Sequence, residues 1–194
     1  MARPREFDEA TALDAAVQHF WLYGYQSTSV RELAEAMGIT SASLYNAFGD
    51  KRALFKQALA RYIEISIEGR VIRSEGTHSS IVAVAAFFKD IVNYSLNDQN
   101  RKGCLLVNSA LELNDDDVEL KGIVVDIFAE IEAFFKRAIA SGQEVGAVTC
   151  SLPASDLARL LLGALLGIRV LARVRPNRAL LEGIARSALG LLQA

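Results

Sequence analysis

The sequence predicts an all-α protein in which a small N-terminal three-helix unit is followed by a larger helical domain. Three observations carry this reading. Proline is scarce, 3 in 194 residues, while Ala and Leu are abundant, which favours helices over a β-sandwich. Apolar residues recur at three- and four-residue spacing, with no strand-like alternation and no internal repeat. Capping residues and glycines punctuate the pattern at helical lengths. Hydrophobic residues make up 52% of the chain, a high share that a subunit interface or an apolar pocket would absorb.

Residues 8–23 carry Leu13, Ala16, Val17, Phe20 and Trp21 on one face, and Gly24 stands where that helix would end. Ser29 followed by Glu32 is a capping-box signature. Val30, Leu33, Ala34 and Met37 then form a short stripe that Gly38 stops. After Ile39 and Thr40, a second short helix spans Ser41 to Phe48, with Leu44 and Phe48 turned inward. Two short helices joined by a tight Gly-containing turn have the layout of a helix-turn-helix. Gly49 and Asp50 lead into a fourth helix, expected from Lys51 to about Gly69 with Leu54, Phe55, Ala58, Leu59, Tyr62 and Ile63 on its buried side. The stretch Ser74 to Ser80 changes the character of the chain. The expected division is 1–52 for the helix-turn-helix domain and 53–194 for the rest. Further helices are expected over about 79–97, 103–113, 117–141 and 154–174. Pro176 is placed in the first turn of a last helix carrying Leu180, Leu181, Ile184, Ala188, Leu189 and Leu192.

Composition excludes several classes. The N-terminus lacks the apolar core of a signal peptide. The most apolar run, Leu160 to Ile168, is far short of the roughly 20 residues that span a bilayer. Cys104 and Cys150 make neither a disulfide framework nor a paired metal motif, so a cytoplasmic chain is expected. The acidic run from Glu112 to Glu119, with Asp115, Asp116 and Asp117, reads as a solvated helix end in which an Asp caps the next helix. His19 and His78 have no neighbours at metal-ligand spacing, and neither a metal nor a cofactor is expected.

Net charge is -2, so a nucleic-acid partner must be argued from local features. In the second short helix the packing of Leu44 and Phe48 leaves Ser41, Ala42, Tyr45 and Asn46 outward, with Thr40 and Ser43 at the edge. A recognition helix places such residues in the major groove, where short polar groups read several bases and a methyl touches thymine. Phosphate contacts are assigned to Tyr45, Thr28, Lys51 and the amides opening the helix before it. Residues 1–60 hold six basic and seven acidic side chains, so non-specific affinity should be modest and dimerisation should supply the rest.

The stretch GYQSTSVRELAEAMGITSASLYNAFGDKRALF, residues 24–55, resembles the DNA-binding domain of the tetracycline-repressor (TetR) family. The match runs in order through Gly24-Tyr25, Thr28-Ser29, the Ala-Glu-Ala-x-Gly-Ile segment, Leu44-Tyr45, Phe48, Asp50-Lys51 and Ala53-Leu54-Phe55. Residues 103–113 and 156–173 also resemble the effector domain of one branch of that family. The resemblance implies an all-helical homodimer that represses transcription from a double-stranded operator until a small molecule binds. It would put base contacts on Ser41, Ala42, Ser43 and Tyr45, and phosphate contacts on Thr28, Ser29, Tyr45, Asn46 and Lys51. Position 41, often Lys in the family, is Ser here, and position 47, often His, is Ala. Both changes remove backbone contacts.

The resemblance also implies that the last two helices pair with their twins as a four-helix bundle. Leu161, Gly163, Leu165, Gly167, Leu181, Ile184 and Leu189 are the expected interface residues, the two glycines allowing close backbone approach. A mostly apolar effector pocket would be lined by Phe88, Tyr94, Cys104, Asn108, Phe128, Phe135 and Leu165, with Asn108 and Ser109 as its polar markers. Cys104, at a helix start, is also a candidate thiol sensor, against the plainer reading of a small buried residue. Two other classes find less support in the sequence. An enzyme has no phosphate-binding Gly loop, Gly-x-Ser-x-Gly or His-Glu-x-x-His in its support, leaving only Glu112, Asp115 and His78 as candidate groups. A protein-binding adaptor would present an apolar groove filler where residues 40–46 are polar.

Overall fold

The computed structural model describes residues 7–66, 69 and 81–193. Among these residues the chain forms nine α-helices and no strand. They are α1 (Glu9–Tyr23), α2 (Val30–Ala36), α3 (Ser41–Phe48), α4 (Lys51–Ile65), α5 (Ile81–Asn97), α6 (Leu105–Glu112), α7 (Val118–Glu144), α8 (Ala154–Val174) and α9 (Arg178–Gly190).

The first four helices start on side-chain caps. Asp8, Ser29, Thr40 and Asp50 accept from Ala10, Glu32, Ser43 and Ala53 amides, which satisfies donors that the helices themselves cannot. At Ser29 the capping box is complete, the Glu32 carboxylate accepting in return from the Ser29 amide at 2.8 Å. α1 and α4 pack along their length through Phe20 and Phe55, whose rings meet edge to face at 4.8 Å. α2 and α3 close over this pair with Leu33, Ala34, Leu44 and Phe48 buried. In the second half, α7 lies between α5 and α8, and α9 packs against α5 and α8. A cluster of Phe87, Phe88, Phe134 and Phe135 fills the α5–α7 contact. The buried apolar residues form one continuous core, and α4 belongs to both halves of it.

Three boundaries and one cap differ from expectation. α4 ends at Ile65 rather than near Gly69, because Ser66 turns extended and its hydroxyl accepts from the Gly69 amide at 3.0 Å. α7 runs on to Glu144 rather than stopping near residue 141. Asp117 stands at the start of α7 but does not cap it; its carboxylate accepts from the Asn114 amide at 3.1 Å. Pro176 lies before the last helix, not in its first turn, since the Asn177 side chain takes the cap by accepting from the Leu180 amide. The expected break at Ser74 to Ser80, with His78, lies outside the described residues.

Arg61 of α4 grips Asp14 of α1 with two hydrogen bonds, at 2.7 and 3.2 Å. The guanidinium holds the Asp14 carboxyl below its ordinary range. A carboxyl depressed in the folded state contributes stability above its unfolded value near pH ~3.9, and that contribution is lost as pH falls through the depressed value. Both side chains are partly exposed, so solvent screening keeps the contribution of the pair small. Arg61→Gln should therefore lower stability slightly above about pH 4 and leave it nearly unchanged well below that, so that the acid slope of the profile becomes shallower, as read by urea unfolding at a series of pH values.

Candidate nucleic-acid interface and effector domain

α3 presents its polar face outward. Ser41, Ala42, Tyr45 and Asn46 are exposed, with Tyr45 at 52%, while Leu44 and Phe48 anchor the opposite face. The turn into α3 depends on Gly38, whose φ of 67° is the left-handed region that a side chain disfavours. Thr40 and Ser43 stand at the start of α3, where their hydroxyls share a hydrogen bond at 2.9 Å and Thr40 caps the helix. Ser29 is exposed at the start of α2, its hydroxyl held by Glu32.

Two assigned phosphate contacts are placed differently. Thr28 is buried, and its hydroxyl donates to the Gly24 carbonyl at 2.6 Å. Its role in the structure is to hold the α1–α2 turn. Lys51 is half-buried, its ammonium donating to the Gln26 carbonyl at 3.4 Å and lying 4.7 Å from the centre of the Tyr25 ring. Burial lowers its pKa, opposed by the charges of Glu112 and Glu32.

In the second half, the expected effector-pocket residues divide. Phe88 and Phe135 are stacked core rings, 5.8 Å apart, and Leu165 is buried. Phe128 is half-buried. Cys104 is buried and its sulfur accepts from the Tyr62 hydroxyl at 3.6 Å. The polar markers are engaged locally: Asn108 donates to the Lys102 carbonyl at 3.0 Å and Ser109 to the Leu105 carbonyl at 2.7 Å. Tyr94 is partly exposed, stacked on Trp21, and lies under the Arg169 guanidinium. A groove of about 250 Å³ between α5 and α9 has Phe88, Val92, Ala185 and Leu189 along it and Lys89 and Arg186 at its rim.

Arg169 is the residue that sequence reasoning missed. Taken there as an interruption of an apolar run, it is 2% exposed and donates to Ser95 Oγ at 3.0 Å, the Gly103 carbonyl at 2.8 Å and the Tyr62 hydroxyl at 3.4 Å. The signal was present, because Arg169 continues the stripe of Leu161 and Leu165 at four-residue spacing.

The expected interface residues divide as well. Leu161, Leu165 and Leu181 are turned into the subunit's own core and are buried within a single chain. The outward stripe of α8 is Leu160, Gly163, Gly167, Val170 and Val174, with Val174 69% exposed. A methyl group added at Gly163, Gly167 or Gly183 would meet open space. Ile184 is half-buried, as is Leu189, which lies along the α5–α9 groove.

The acidic stretch is engaged in pairs: Asp115 with Lys121 at 2.7 Å, and Glu119 with Lys56 and Arg52. Among the described residues no group of three His, Cys, Asp or Glu side chains could hold a metal ion, and no helix is long and apolar enough to cross a membrane.

An all-helical chain with this cap-turn-cap unit and an outward polar helix is a helix-turn-helix DNA-binding regulator. Residues 12–58 match the family described as bacterial regulatory proteins, tetR family, and residues 81–188 match the tetracyclin repressor-like C-terminal domain. The chain belongs to the TetR family of transcriptional regulators. It is 30% identical over 193 residues to the HTH-type transcriptional regulator YezE of Bacillus subtilis, covering 99% of this chain and 100% of that one. It is 29% identical over 192 residues to the HTH-type transcriptional repressor ComR of Escherichia coli, covering 97% of this chain and 90% of that one. Among solved structures, a cysteine-substituted form of the TetR family regulator CifR complexed with operator DNA superposes with a TM-score of 0.86 at 32% identity, covering 98% of this chain and 100% of that one.

If Leu161 is core rather than interface, truncation leaves a cavity inside the subunit. Leu161→Ala should lower the unfolding free energy by about 2–5 kcal/mol, measured by urea denaturation at fixed protein concentration. A loss below about 1 kcal/mol would return Leu161 to the subunit surface.

Proposed function

We propose that the chain is a repressor that binds a two-fold symmetric operator as a homodimer and leaves it when a small, mostly apolar effector binds residues 53–194. The outward face of α3 carries the reading. Ser41, Ala42, Tyr45 and Asn46 lie on the side of the helix that its buried anchors leave free, ready to meet base edges and phosphates. CifR, whose fold this chain shares over nearly its whole length, forms a complex with operator DNA, which supports the operator-binding reading.

Thr40, Ser43 and Ser29 flank that face, and Lys51 at the start of α4 is a further phosphate contact. With no Arg on α3, specificity comes from short polar side chains, methyl contacts and the shape of the duplex. Dimerisation uses the outward stripes of α8 and α9. Leu160, Gly163, Gly167, Val170 and Val174 meet Ile184, Gly183 and Leu191 of the other copy, or their own twins, across a two-fold axis. Such a dimer sets the two α3 helices about 34–36 Å apart, or a multiple of that, to match successive major grooves. Effector binding acts by favouring a spacing that does not match.

Selection of bound duplexes from a random pool, run with the native protein and with Tyr45→Ala, tests the operator reading. The native protein should enrich a two-fold symmetric site that Tyr45→Ala does not. Absence of any enriched site across low and moderate salt would reject it. Gly167→Arg tests the dimer. The position is open on the single chain, so helix content should be unchanged while sedimentation velocity shows a monomer, and operator affinity should fall by about a hundredfold or more as bivalency is lost. A variant that stays dimeric would move the interface elsewhere.

A further inference from the structure

Glu112 closes α6, 87 residues from the turn between α1 and α2, yet its carboxylate reaches into that turn. Oε2 accepts from the Tyr25 amide at 2.7 Å and from the Gln26 amide at 3.3 Å. The Gln26 side chain returns a bond to the Glu112 main-chain carbonyl at 3.5 Å. These two amides follow the end of α1, where no helix supplies a partner, so a remote carboxylate does what the local chain cannot. Gly24 makes room for it: its φ of 87° is left-handed, and a methyl there would overlap the carboxylate of Glu112. On the other side, Lys51 lies over the Tyr25 ring and donates to the Gln26 carbonyl. The turn that sets the start of α2 is thus held between a carboxylate from the second half and a lysine of the first.

The other end of α6 is also tied down. The Gly103 carbonyl, two residues before the helix, accepts from Trp21 Nε1 at 3.2 Å and from Arg169 at 2.8 Å. α6 is a rod of two turns with one end fixed to α1 and α8 and the other gripping the helix-turn-helix. Other polar ties also join the halves: Lys102 donates to Gln18 at 2.9 Å, the Tyr62 hydroxyl meets Cys104 and Arg169, and Glu119 forms an exposed pair with Lys56 and Arg52. None of these bonds to a main-chain amide of the α1–α2 turn, as Glu112 does. Charge-assisted bonds to main-chain amides are shorter, stronger and directional.

We propose that Glu112 is a positioning residue that sets the orientation of the helix-turn-helix relative to the second half of the chain, and so its discrimination of the operator from other DNA. The inference rests on the operator reading for its DNA readout and stands apart from it in the amide readout.

The experiment uses the full-length dimer with Glu112→Ala, Glu112→Gln and the native protein. Amide exchange at Tyr25 and Gln26 is followed in the absence of DNA. Affinity is measured at one salt concentration for the selected operator and for a random-sequence duplex of equal length. Glu112→Ala should speed exchange at both amides by about ten- to a hundredfold, the range set by a hydrogen bond to a charged group. It should weaken the operator by a similar factor and change the random duplex by less than about twofold, since phosphate contacts are untouched. Glu112→Gln, which keeps a carbonyl acceptor, should recover part of both effects. Faster exchange with an unchanged ratio of specific to non-specific affinity would overturn the proposal while leaving the operator reading intact. Equal loss on both duplexes, with cooperative unfolding shifted to lower temperature, would also overturn it and make Glu112 a plain structural residue. A native protein that fails to discriminate the duplexes would overturn the operator reading, and positioning with it, even if the exchange arm behaves as expected.

Discussion

The Gly103 carbonyl is the meeting point on which the arrangement of the two halves depends. It accepts from the indole of Trp21 in α1 and from the guanidinium of Arg169 in α8, while Tyr62 of α4 packs edge to face against Trp21 at 4.9 Å and contacts Arg169 and Cys104. A buried guanidinium is costly without acceptors, and Ser95, Gly103 and Tyr62 accept from its two terminal nitrogens from three different segments. Gly103 reaches this geometry with φ of 72°, in the left-handed region. Helices α1, α4, α6 and α8 are thereby fixed around one polar knot inside an otherwise apolar core, where misplacement by a helical turn would strand a charge.

The same constraint explains how a domain with so few cations can serve a DNA-binding protein. Residues 1–60 carry no basic excess, so affinity cannot rest on counting phosphates. In the proposed dimer affinity comes from geometry, with each α3 presented by the continuous core of its own chain. α4 lies in both halves of that core, and α6 grips the α1–α2 turn through Glu112. A ligand that displaces either helix has a short mechanical route to α3.

Several of the expected site residues have local main-chain partners. Asn108 and Ser109 look like ligand markers because they are polar within an apolar helix, but each spends a donor on a nearby carbonyl. Thr28 looks like a phosphate contact because it opens the segment before α2, but its hydroxyl closes the turn back to Gly24. Short polar side chains have local backbone partners available to them, and sequence cannot show whether those partners have been taken. Tyr45 and Asn46 are different, because the anchors Leu44 and Phe48 leave them no inward direction.

What the sequence by itself determined is local. Helix starts at Asp8, Ser29, Thr40 and Asp50, the glycine turns at 24 and 38, and the outward face of α3 all follow from caps, left-handed glycines and a 3.6-residue period within a few positions of one another. The tertiary structure decided which apolar stripe of α8 turns inward. That helix is apolar on two sides, so periodicity alone could not separate Leu161 and Leu165, which are core, from Leu160 and Val170, which are exposed. It also decided that Arg169 is buried and that Glu112 reaches Tyr25. Those outcomes depend on partners 66 to 107 residues away for Arg169 and 87 away for Glu112. No local propensity encodes such distances; they exist only once the helices have packed and each buried charge has found its donors and acceptors.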